Sequence, residues 1–228
     1  MRSESNGFPD ATPGGRLIAP FIDHTLLKPD AAEKDVVRVC REARHYGFAA
    51  VCVNPFRLRL AASELKGSPA APCTVVGFPL GAGLALTKAR EAEAAVGQGA
   101  MELDMVMCIG ALKDGDRAHV AGDIRAVVSA ASGRLVKVIL ETHFLTDDEK
   151  RTACLLAVEA GAHFVKTSTG FLGGGATVAD IRLMRRAVGP QFGVKASGGV
   201  RTAAEARAML EAGANRIGTS AGVALATG

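Results

Sequence analysis

Three stretches of the sequence repeat one pattern: Gly99–Asp104 reads GAMELD, Gly161–Lys166 reads GAHFVK and Gly213–Gly218 reads GANRIG. In each stretch a Gly-Ala pair follows an amphipathic segment and leads into a short β-prone run. This is the pattern expected where a helix ends and the next parallel strand begins. The chain therefore uses one helix–strand unit several times, which indicates a parallel sheet whose strands are connected by helices.

Working outward from these repeats, eight β-prone runs alternate with amphipathic stretches up to the C-terminus. The predicted strands are Phe21–Thr25, Ala49–Asn54, Cys73–Phe78, Met101–Met107, Leu135–Glu141, His163–Ser168, Phe192–Ser197 and Arg216–Ser220. Eight such units predict an α/β fold of the (β/α)₈ TIM-barrel type. An open, doubly wound sheet is the alternative. It would more often have about five or six strands and a glycine-rich loop after the first one, where this sequence has Asp23-His24-Thr25-Leu26.

Residues with capping preferences mark the ends of the intervening helices. Three pairs have the spacing of a capping box at a helix N-terminus: Asp30 with Glu33, Thr146 with Glu149, and Thr202 with Glu205. Three glycines suit helix C-termini: Gly47, Gly161 and Gly213. The sequence therefore predicts where at least six helix ends lie.

The composition indicates one domain around one core. With 228 residues, 48% of them hydrophobic and 22% charged, the chain has the length of a single α/β barrel. We expect residues 16–228 to form that barrel. Residues 1–15 are polar and rich in Gly, Pro and Ser, and we expect a disordered leader there. This segment lacks the apolar core of a secretory signal, and no apolar run reaches membrane-spanning length.

Charge and cysteine usage narrow the class of partner. The net charge is +4, and no block of like charges resembles a nucleic-acid-binding tail, so a small anionic ligand is favoured over nucleic acid. The cysteines are odd in number, widely spaced and placed in apolar segments: Cys40, Cys52, Cys73, Cys108 and Cys154. This usage is typical of reduced thiols in a cytoplasmic protein.

Charged residues occupy strand positions that a parallel barrel normally fills with apolar side chains. In the fourth predicted strand, alternation with period two puts Glu102 and Asp104 on the inward face. The same alternation predicts four further inward side chains: Lys137, Glu141, Lys166 and Lys195. Any one pair could be a buried ion pair that serves only the fold. Because each unpaired buried charge costs several kcal/mol, their number indicates chemistry. Most lie toward the C-terminal strand ends, where barrel enzymes assemble their active sites.

Two lysines inside one barrel indicate Schiff-base chemistry. The ordinary lysine pKa of about 10.4 leaves roughly one amine in two thousand neutral at pH 7. Burial and a nearby ammonium both favour the neutral form, so one lysine can attack a carbonyl while the other stays protonated. The resulting iminium lets the carbon–carbon bond β to it break, and an acid such as Asp104 can relay the proton that the enamine needs. No metal is required, and the histidines show no metal-ligand spacing.

Glycine-rich turns follow the last strands. Ser197–Val200 follows the seventh predicted strand and Gly218–Ser220 ends the eighth. Glycine lets backbone N–H groups approach an anion, and TIM barrels commonly bind phosphate in these loops. Gly173–Gly175, after the sixth strand, is a further candidate that either contacts ligand or only turns the chain.

Four segments resemble deoxyribose-phosphate aldolases: Phe21–Leu27 (FIDHTLL), Glu102–Val106 (ELDMV), Val165–Gly170 (VKTSTG) and Val194–Thr202 (VKASGGVRT). The resemblance runs from about Phe21 to Ser220, and the two lysine motifs in this order are more specific than either alone. It implies a class I aldolase without a cofactor. The implied reaction is reversible cleavage of 2-deoxy-D-ribose 5-phosphate to acetaldehyde and D-glyceraldehyde 3-phosphate.

The resemblance also implies roles for individual residues. Lys166 is the implied Schiff-base lysine, Lys195 the neighbouring ammonium and Asp104 the acid of the proton relay; the residues alone do not choose between the lysines. The implied substrate-binding positions are Asp23, Thr25, Cys52, Gly198, Gly199, Gly218 and Ser220. Cys52 is equally a small core residue, and its role stays open. A homodimer is expected on family grounds.

Two features depart from the family pattern. Some relatives carry a C-terminal tail with a tyrosine that assists proton transfer, whereas this sequence ends at Gly228 and its only tyrosine is Tyr46. We therefore expect that route to be absent. The segment after Ser220 is short for a final barrel helix, so we expect the N-terminal segment or another subunit to cover part of the barrel.

Three other functions remain as alternatives. Another Schiff-base aldolase or a transaldolase would differ in the carbonyl donor that fits. A catalytically silent phosphosugar-binding protein would keep the anion site without needing paired lysines. A metal-dependent barrel aldolase is disfavoured by the lack of metal-ligand spacing.

Overall fold

The computed structural model describes residues 11–228, which form a closed barrel of eight parallel strands in chain order. The strands are β1 Ile22–Leu26, β2 Ala50–Val53, β3 Ala71–Val76, β4 Glu102–Val106, β5 Leu135–Ile139, β6 Phe164–Lys166, β7 Gly193–Ser197 and β8 Arg216–Thr219. All eight predicted strands are confirmed, with most ends displaced by one or two residues. The pairing of β8 with β1 closes the barrel, so the open-sheet alternative is wrong.

Helices surround the barrel and connect successive strands. They are α1 Pro13–Ile18, α2 Glu33–Tyr46, α3 Leu58–Glu64, α4 Ala85–Gly97, α5 Ile109–Lys113, α6 Arg117–Ala130, α7 Asp147–Glu159, α8 Val178–Val188, α9 Ala203–Glu211 and α10 Gly222–Thr227. Short 3₁₀ turns span Ala19–Phe21, Pro55–Arg57 and Thr142–Phe144. Within residues 11–228, no helix has the length and apolar character needed to cross a membrane.

The predicted helix ends are largely confirmed. Thr146 and Thr202 cap α7 and α9 in complete capping boxes. The three predicted C-terminal glycines, Gly47, Gly161 and Gly213, have φ of 72°, 81° and 111°. These are left-handed backbone conformations that glycine adopts without a Cβ clash.

The predicted capping box of Asp30 with Glu33 is wrong. Asp30 lies in a turn, in which the Ala31 N–H donates to the Lys28 carbonyl. Helix α2 begins after Ala32, whose N–H donates to the Asp35 carboxylate at 3.0 Å. The turn that contains Asp30 thus moves the helix start two residues along, so that Ala32 is the N-cap residue and Asp35, instead of Glu33, accepts its N–H.

The N-terminal segment covers the flank that the short last helix leaves open, as predicted. Thr12 caps α1, and a Cβ on Gly15 would lie 1.9 Å from the Ala226 carbonyl oxygen of α10. Only glycine permits this close contact between the two helices. Residues 13–15, which we expected to belong to a disordered leader, are instead the first residues of helix α1. Residues 1–10 of that segment lie outside the described residues.

A buried ion pair between two helices lies outside the barrel. The Lys88 ammonium of α4 contacts the Asp123 carboxylate of α6 at 2.6 Å, and both side chains are almost fully buried. Lys88 also donates to the Val106 carbonyl at 3.0 Å, and the Cys108 N–H donates to Asp123 at 3.1 Å. The pair therefore fastens both helices to the end of β4.

Candidate active site

Three strand lysines converge on one carboxylate inside the barrel. Asp104 of β4 is fully buried. One of its oxygens accepts hydrogen bonds from the Lys166 and Lys195 ammonium positions, each at 2.8 Å. The other oxygen accepts from Lys137 at 2.8 Å. Lys166 and Lys195, at paired register positions of β6 and β7, thus both reach Asp104 of β4 through the barrel interior, which brings the three predicted catalytic residues together.

A second layer of charge lies beneath this contact and was partly missed from the sequence. Asp23 of β1 accepts hydrogen bonds from Lys195 and from Arg216, the latter at 2.6 Å. Glu102 accepts from Lys137 at 2.5 Å and from Arg216 at 3.0 Å. Arg216 could have been found from the sequence by the same alternation, because it lies two residues before Gly218 on β8 and therefore on the same face of the strand.

Burial and charge oppose each other at these groups, and charge dominates. Burial by itself raises the pKa of Asp104, but the three lysines hold that pKa well below its ordinary value. The pKa of Asp23 is lowered in the same way by Lys137, Lys195 and Arg216. Burial lowers the pKa of Lys195, but the negative charges of Asp104 and Asp23 raise it by more, so the pKa lies above its ordinary value. Asp104 is therefore a carboxylate and Lys195 an ammonium ion.

The formal charges of the network distinguish Lys166 from the other lysines. Three cations, Lys137, Lys195 and Arg216, face three carboxylates, Asp23, Glu102 and Asp104. These six groups balance. A protonated Lys166 would add an uncompensated buried charge, which is costly. Asp104 is its one hydrogen-bond partner in the described part of the chain, and its side chain is 3% exposed where those of Lys137 and Lys195 are 0%.

A pocket of about 320 Å³ opens at the C-terminal ends of the strands. Five predicted substrate-binding residues line it: Thr25, Gly198, Gly199, Gly218 and Ser220. Lys28 and Arg201 also line it, and the sequence analysis missed them because isolated basic residues in loops carry no pattern. Two cations and several glycine N–H groups suit an anionic ligand.

Two predicted substrate-binding residues do not line this pocket. Asp23 is fully buried and held by Lys195 and Arg216. Cys52 is buried in an apolar cluster with Cys73 and Val75. Neither residue lines this pocket, whereas Thr25, two residues after Asp23, does.

The same region holds a group of potential metal ligands that does not fit a cation. The sulfurs of Cys52 and Cys73 and a carboxylate oxygen of Asp104 lie within 4.8 Å of one another. A hydrogen bond from Cys73 lowers the pKa of Cys52, whereas burial raises that of Cys73. The lysines already bound to Asp104 would repel a metal ion.

The glycine-rich turn after β6 serves packing. A Cβ on Gly175 would lie 2.7 Å from the Gly198 carbonyl oxygen, which also accepts a hydrogen bond from the Ala176 N–H at 2.9 Å. The Gly173–Gly175 segment therefore braces the Gly198 loop. Residues earlier in the same connection, Thr169 to Phe171, form the pocket wall instead.

Two other residues singled out from the sequence lie away from the lysines. The predicted strand position of Glu141 is wrong, because β5 ends at Ile139 and Glu141 follows it in a left-handed conformation. Its carboxylate bonds to Thr169 and does not join the charge network. Tyr46 is buried at the end of α2, stacked on Phe48 with ring centroids 5.5 Å apart.

Comparisons with known proteins identify one family of similar sequences. The family model described as DeoC/LacD family aldolase matches residues 17–226. The chain is similar to deoxyribose-phosphate aldolase 1 of Bacillus licheniformis, with 62% identity over 214 residues, covering 93% of this chain and 96% of the relative. It is 59% identical over 215 residues to the deoxyribose-phosphate aldolase of Halalkalibacterium halodurans, with the same two coverages.

Solved structures give the same picture. An aldolase designated QR15 superposes with a TM-score of 0.88 and 39% identity, over 92% of this chain and 94% of that one. A deoxyribose phosphate aldolase from Aeropyrum pernix, described as having a unique tetrameric structure, superposes with a TM-score of 0.86 and 34% identity. The superposition covers 92% of this chain and 90% of that one.

Proposed function

The chain belongs to the DeoC/LacD family of aldolases, and we propose that it reversibly cleaves 2-deoxy-D-ribose 5-phosphate to acetaldehyde and D-glyceraldehyde 3-phosphate. The enzyme is a carbon–carbon lyase that acts through a lysine Schiff base in deoxyribose catabolism. The observation that carries the assignment is the excess of one amine over the carboxylates of the network: Lys166 contacts only Asp104 among the described residues, at an oxygen that it shares with Lys195.

The neutral Lys166 amine attacks the aldehyde carbon of the open-chain sugar, and loss of water gives an iminium. The C3 hydroxyl then gives up its proton, the C2–C3 bond breaks and glyceraldehyde 3-phosphate leaves. The electron pair of the broken bond forms the enamine. Protonation of the enamine at C2 and hydrolysis of the iminium release acetaldehyde and restore the amine.

Asp104 and Lys195 supply the proton path. Because Asp104 is a carboxylate, it accepts protons and passes them on, and it is not the resident acid. Lys195 is the ammonium ion that shares an Asp104 oxygen with Lys166, each amine lying 2.8 Å from that oxygen. A proton can therefore move between the two lysines through one carboxylate, directly or with a water molecule.

The phosphate group of the substrate fits the part of the pocket that the glycine-rich turns after β7 and β8 form. Gly198 and Gly199 have φ of 90° and 84°, which suits backbone N–H groups turned toward an anion. Ser220 and Arg201 line the same wall, and Lys28 adds a second cation. We assign Asp23 and Cys52 supporting positions around the reacting end, because both lie buried beside Asp104 or Lys195.

A product assay tests the assignment. Purified enzyme with deoxyribose 5-phosphate is expected to release equal amounts of acetaldehyde and glyceraldehyde 3-phosphate, in chelator as well as without it. Activity lost in chelator would favour the metal-dependent alternative. Failure of acetaldehyde as donor in the synthetic direction, with activity from a ketone donor, would favour a transaldolase or another Schiff-base aldolase. Tight sugar-phosphate binding without any cleavage would favour the silent binding protein.

The site takes a sugar phosphate and acetaldehyde, with no nucleic acid or membrane partner in the reaction. A cytoplasmic location accords with the unpaired state of all five cysteines; burial raises the pKa of Cys40 and Cys154 to about 12. The proposal includes a homodimer. Sedimentation can distinguish a dimer from a tetramer, the state described for the Aeropyrum pernix relative.

A further inference from the structure

Glu141 has an unfavourable backbone conformation at a buried position. Among the non-glycine residues of the described part of the chain, only Ser132 and Glu141 have positive φ, at 49° and 55°. Ser132 lies in an exposed turn, whereas Glu141 is fully buried just after β5. A left-handed backbone costs free energy for a residue with a Cβ, and such residues concentrate at functional sites.

The Glu141 side chain holds one segment of the pocket wall. One carboxyl oxygen accepts hydrogen bonds from the Thr169 N–H at 3.0 Å and from the Thr169 hydroxyl at 2.5 Å. The Thr169 hydroxyl in turn accepts from the Phe171 N–H at 3.1 Å. The orientation of the Thr169 hydroxyl is therefore fixed by Glu141 on one side and by the Phe171 backbone on the other. The other Glu141 oxygen is buried without a partner within residues 11–228, so Thr169 supplies all the compensation for burying this group.

The lysine segment is held separately, by the backbone on either side of Glu141. The Leu140 N–H donates to the Lys166 carbonyl at 2.9 Å, and the Thr142 N–H donates to the Thr167 carbonyl at 3.0 Å. Removing the Glu141 carboxyl group would leave both of these bonds in place. The wall can therefore move while the lysine stays where it is.

We propose that Glu141 is a positioning residue that fixes the Thr169–Phe171 segment as the wall against which the sugar phosphate binds. The inference rests on the proposed function. Thr169, Gly170 and Phe171 all line the pocket, and the half-exposed Phe171 ring meets Phe78 edge-on with centroids 5.2 Å apart. Gly170, with φ of 81° and no atom near its Cβ position, leaves the segment free to turn once Thr169 is released.

Calorimetric binding of 2-deoxyribitol 5-phosphate tests the inference, because this reduced analogue keeps the phosphate and hydroxyl groups of the proposed substrate and has no carbonyl group that could form a Schiff base. Glu141→Met keeps the unbranched shape and loses both hydrogen bonds, so its Kd is expected to rise by about tenfold. Glu141→Gln keeps a carbonyl oxygen for Thr169, and its Kd should stay near that of the wild type. Ser132→Ala is the control for positive φ away from the pocket.

A double-mutant cycle tests whether Glu141 affects ligand binding through Thr169. Thr169→Val added to Glu141→Met should weaken binding little further, because both changes break the same contact. Borohydride trapping of acetaldehyde on Lys166 should persist in Glu141→Met. Unchanged Kd in Glu141→Met with only a lowered Tm would overturn the inference, as would full additivity with Thr169→Val. A wild type that binds no analogue would instead contradict the proposed substrate class.

Discussion

Two buried groups of lysine and aspartate lie on opposite faces of the barrel wall. Outside, Lys88 and Asp123 pair one to one between α4 and α6 and fasten the end of β4. Inside, three lysines meet on Asp104 next to a pocket. The local chemistry is the same, since each contact joins an ammonium position to a buried carboxylate. The difference lies in charge balance and in access to a ligand.

The comparison teaches that a buried ion pair alone does not indicate function. The outer pair is neutral as a unit and can serve the fold alone. The inner network has one amine more than its carboxylates can neutralise, and that amine belongs to the lysine with some exposure. An excess basic group beside a pocket is what Schiff-base chemistry needs.

The largest expected effect comes from removing the excess amine. Lys166→Met should lower kcat by about four orders of magnitude or more, because the nucleophile is lost while the six balanced charges remain. Steady-state cleavage of deoxyribose 5-phosphate measures this. Fold and Tm should change little by comparison. If Lys166→Met keeps more activity than Lys195→Met, the assignment of the two lysines is reversed.

The outer pair should show the opposite behaviour. Lys88→Met leaves Asp123 buried and unpaired, which typically costs about 3–5 kcal/mol of the free energy of unfolding. The kcat of the folded enzyme should change far less than in Lys166→Met. Urea unfolding and active-site titration measure the two quantities. Adding Asp123→Leu should recover part of the lost stability. A kcat loss in Lys88→Met as large as that in Lys166→Met would contradict the distinction between a structural and a catalytic group.

Acid should weaken the inner network through Asp23. Its pKa is lowered in the folded state, so its contribution is present above the ordinary value of about 3.9 and is lost as the pH falls from there toward the folded pKa. In Asp23→Asn, the slope of unfolding free energy against pH below about pH 4 should be smaller by up to roughly 1.4 kcal/mol per pH unit. Denaturant titrations at several pH values give this slope. Glu93→Gln on the exposed face of α4 is the matched control, and equal slopes in wild type and Asp23→Asn would remove Asp23 from the account.

The smallest expected effect extends the comparison to two helix N-termini with the same capping box. Thr146→Ala and Thr202→Ala should each cost about 1 kcal/mol of stability, since each removes one cap. Only Thr202 follows directly on Arg201 of the pocket wall. The KM for deoxyribose 5-phosphate should therefore rise in Thr202→Ala alone. A similar rise in Thr146→Ala would show that KM follows global stability.

Much of the fold could be predicted because the parallel barrel imposes simple periodicity. Alternation along β4 placed Glu102 and Asp104 inward, and Thr146 and Thr202 marked helix starts, since these signals depend on residues close in sequence. The Asp30 cap was wrong because a local turn competed with the helix. The helical state of residues 13–15 was missed because Gly15 packs against distant Ala226, a contact that the local sequence does not reveal.

Strand parity predicted that Lys166, Lys195 and Asp104 face the barrel interior, and the structure brings these side chains together. Their arrangement was less predictable, and the roles proposed for the two lysines depend on a charge count that includes Arg216. The burial of Asp23 likewise follows from partners far away in the sequence. Such long-range balances become visible only when all eight strands are assembled.

Borohydride trapping with peptide mapping tests the central claim most directly. Wild-type enzyme reduced in the presence of acetaldehyde or deoxyribose 5-phosphate should carry its adduct on the peptide containing Lys166, and Lys166→Ala should carry none. An adduct on Lys195 in the wild type would contradict the charge-balance account of the two lysines. The absence of any adduct would contradict the Schiff-base mechanism itself.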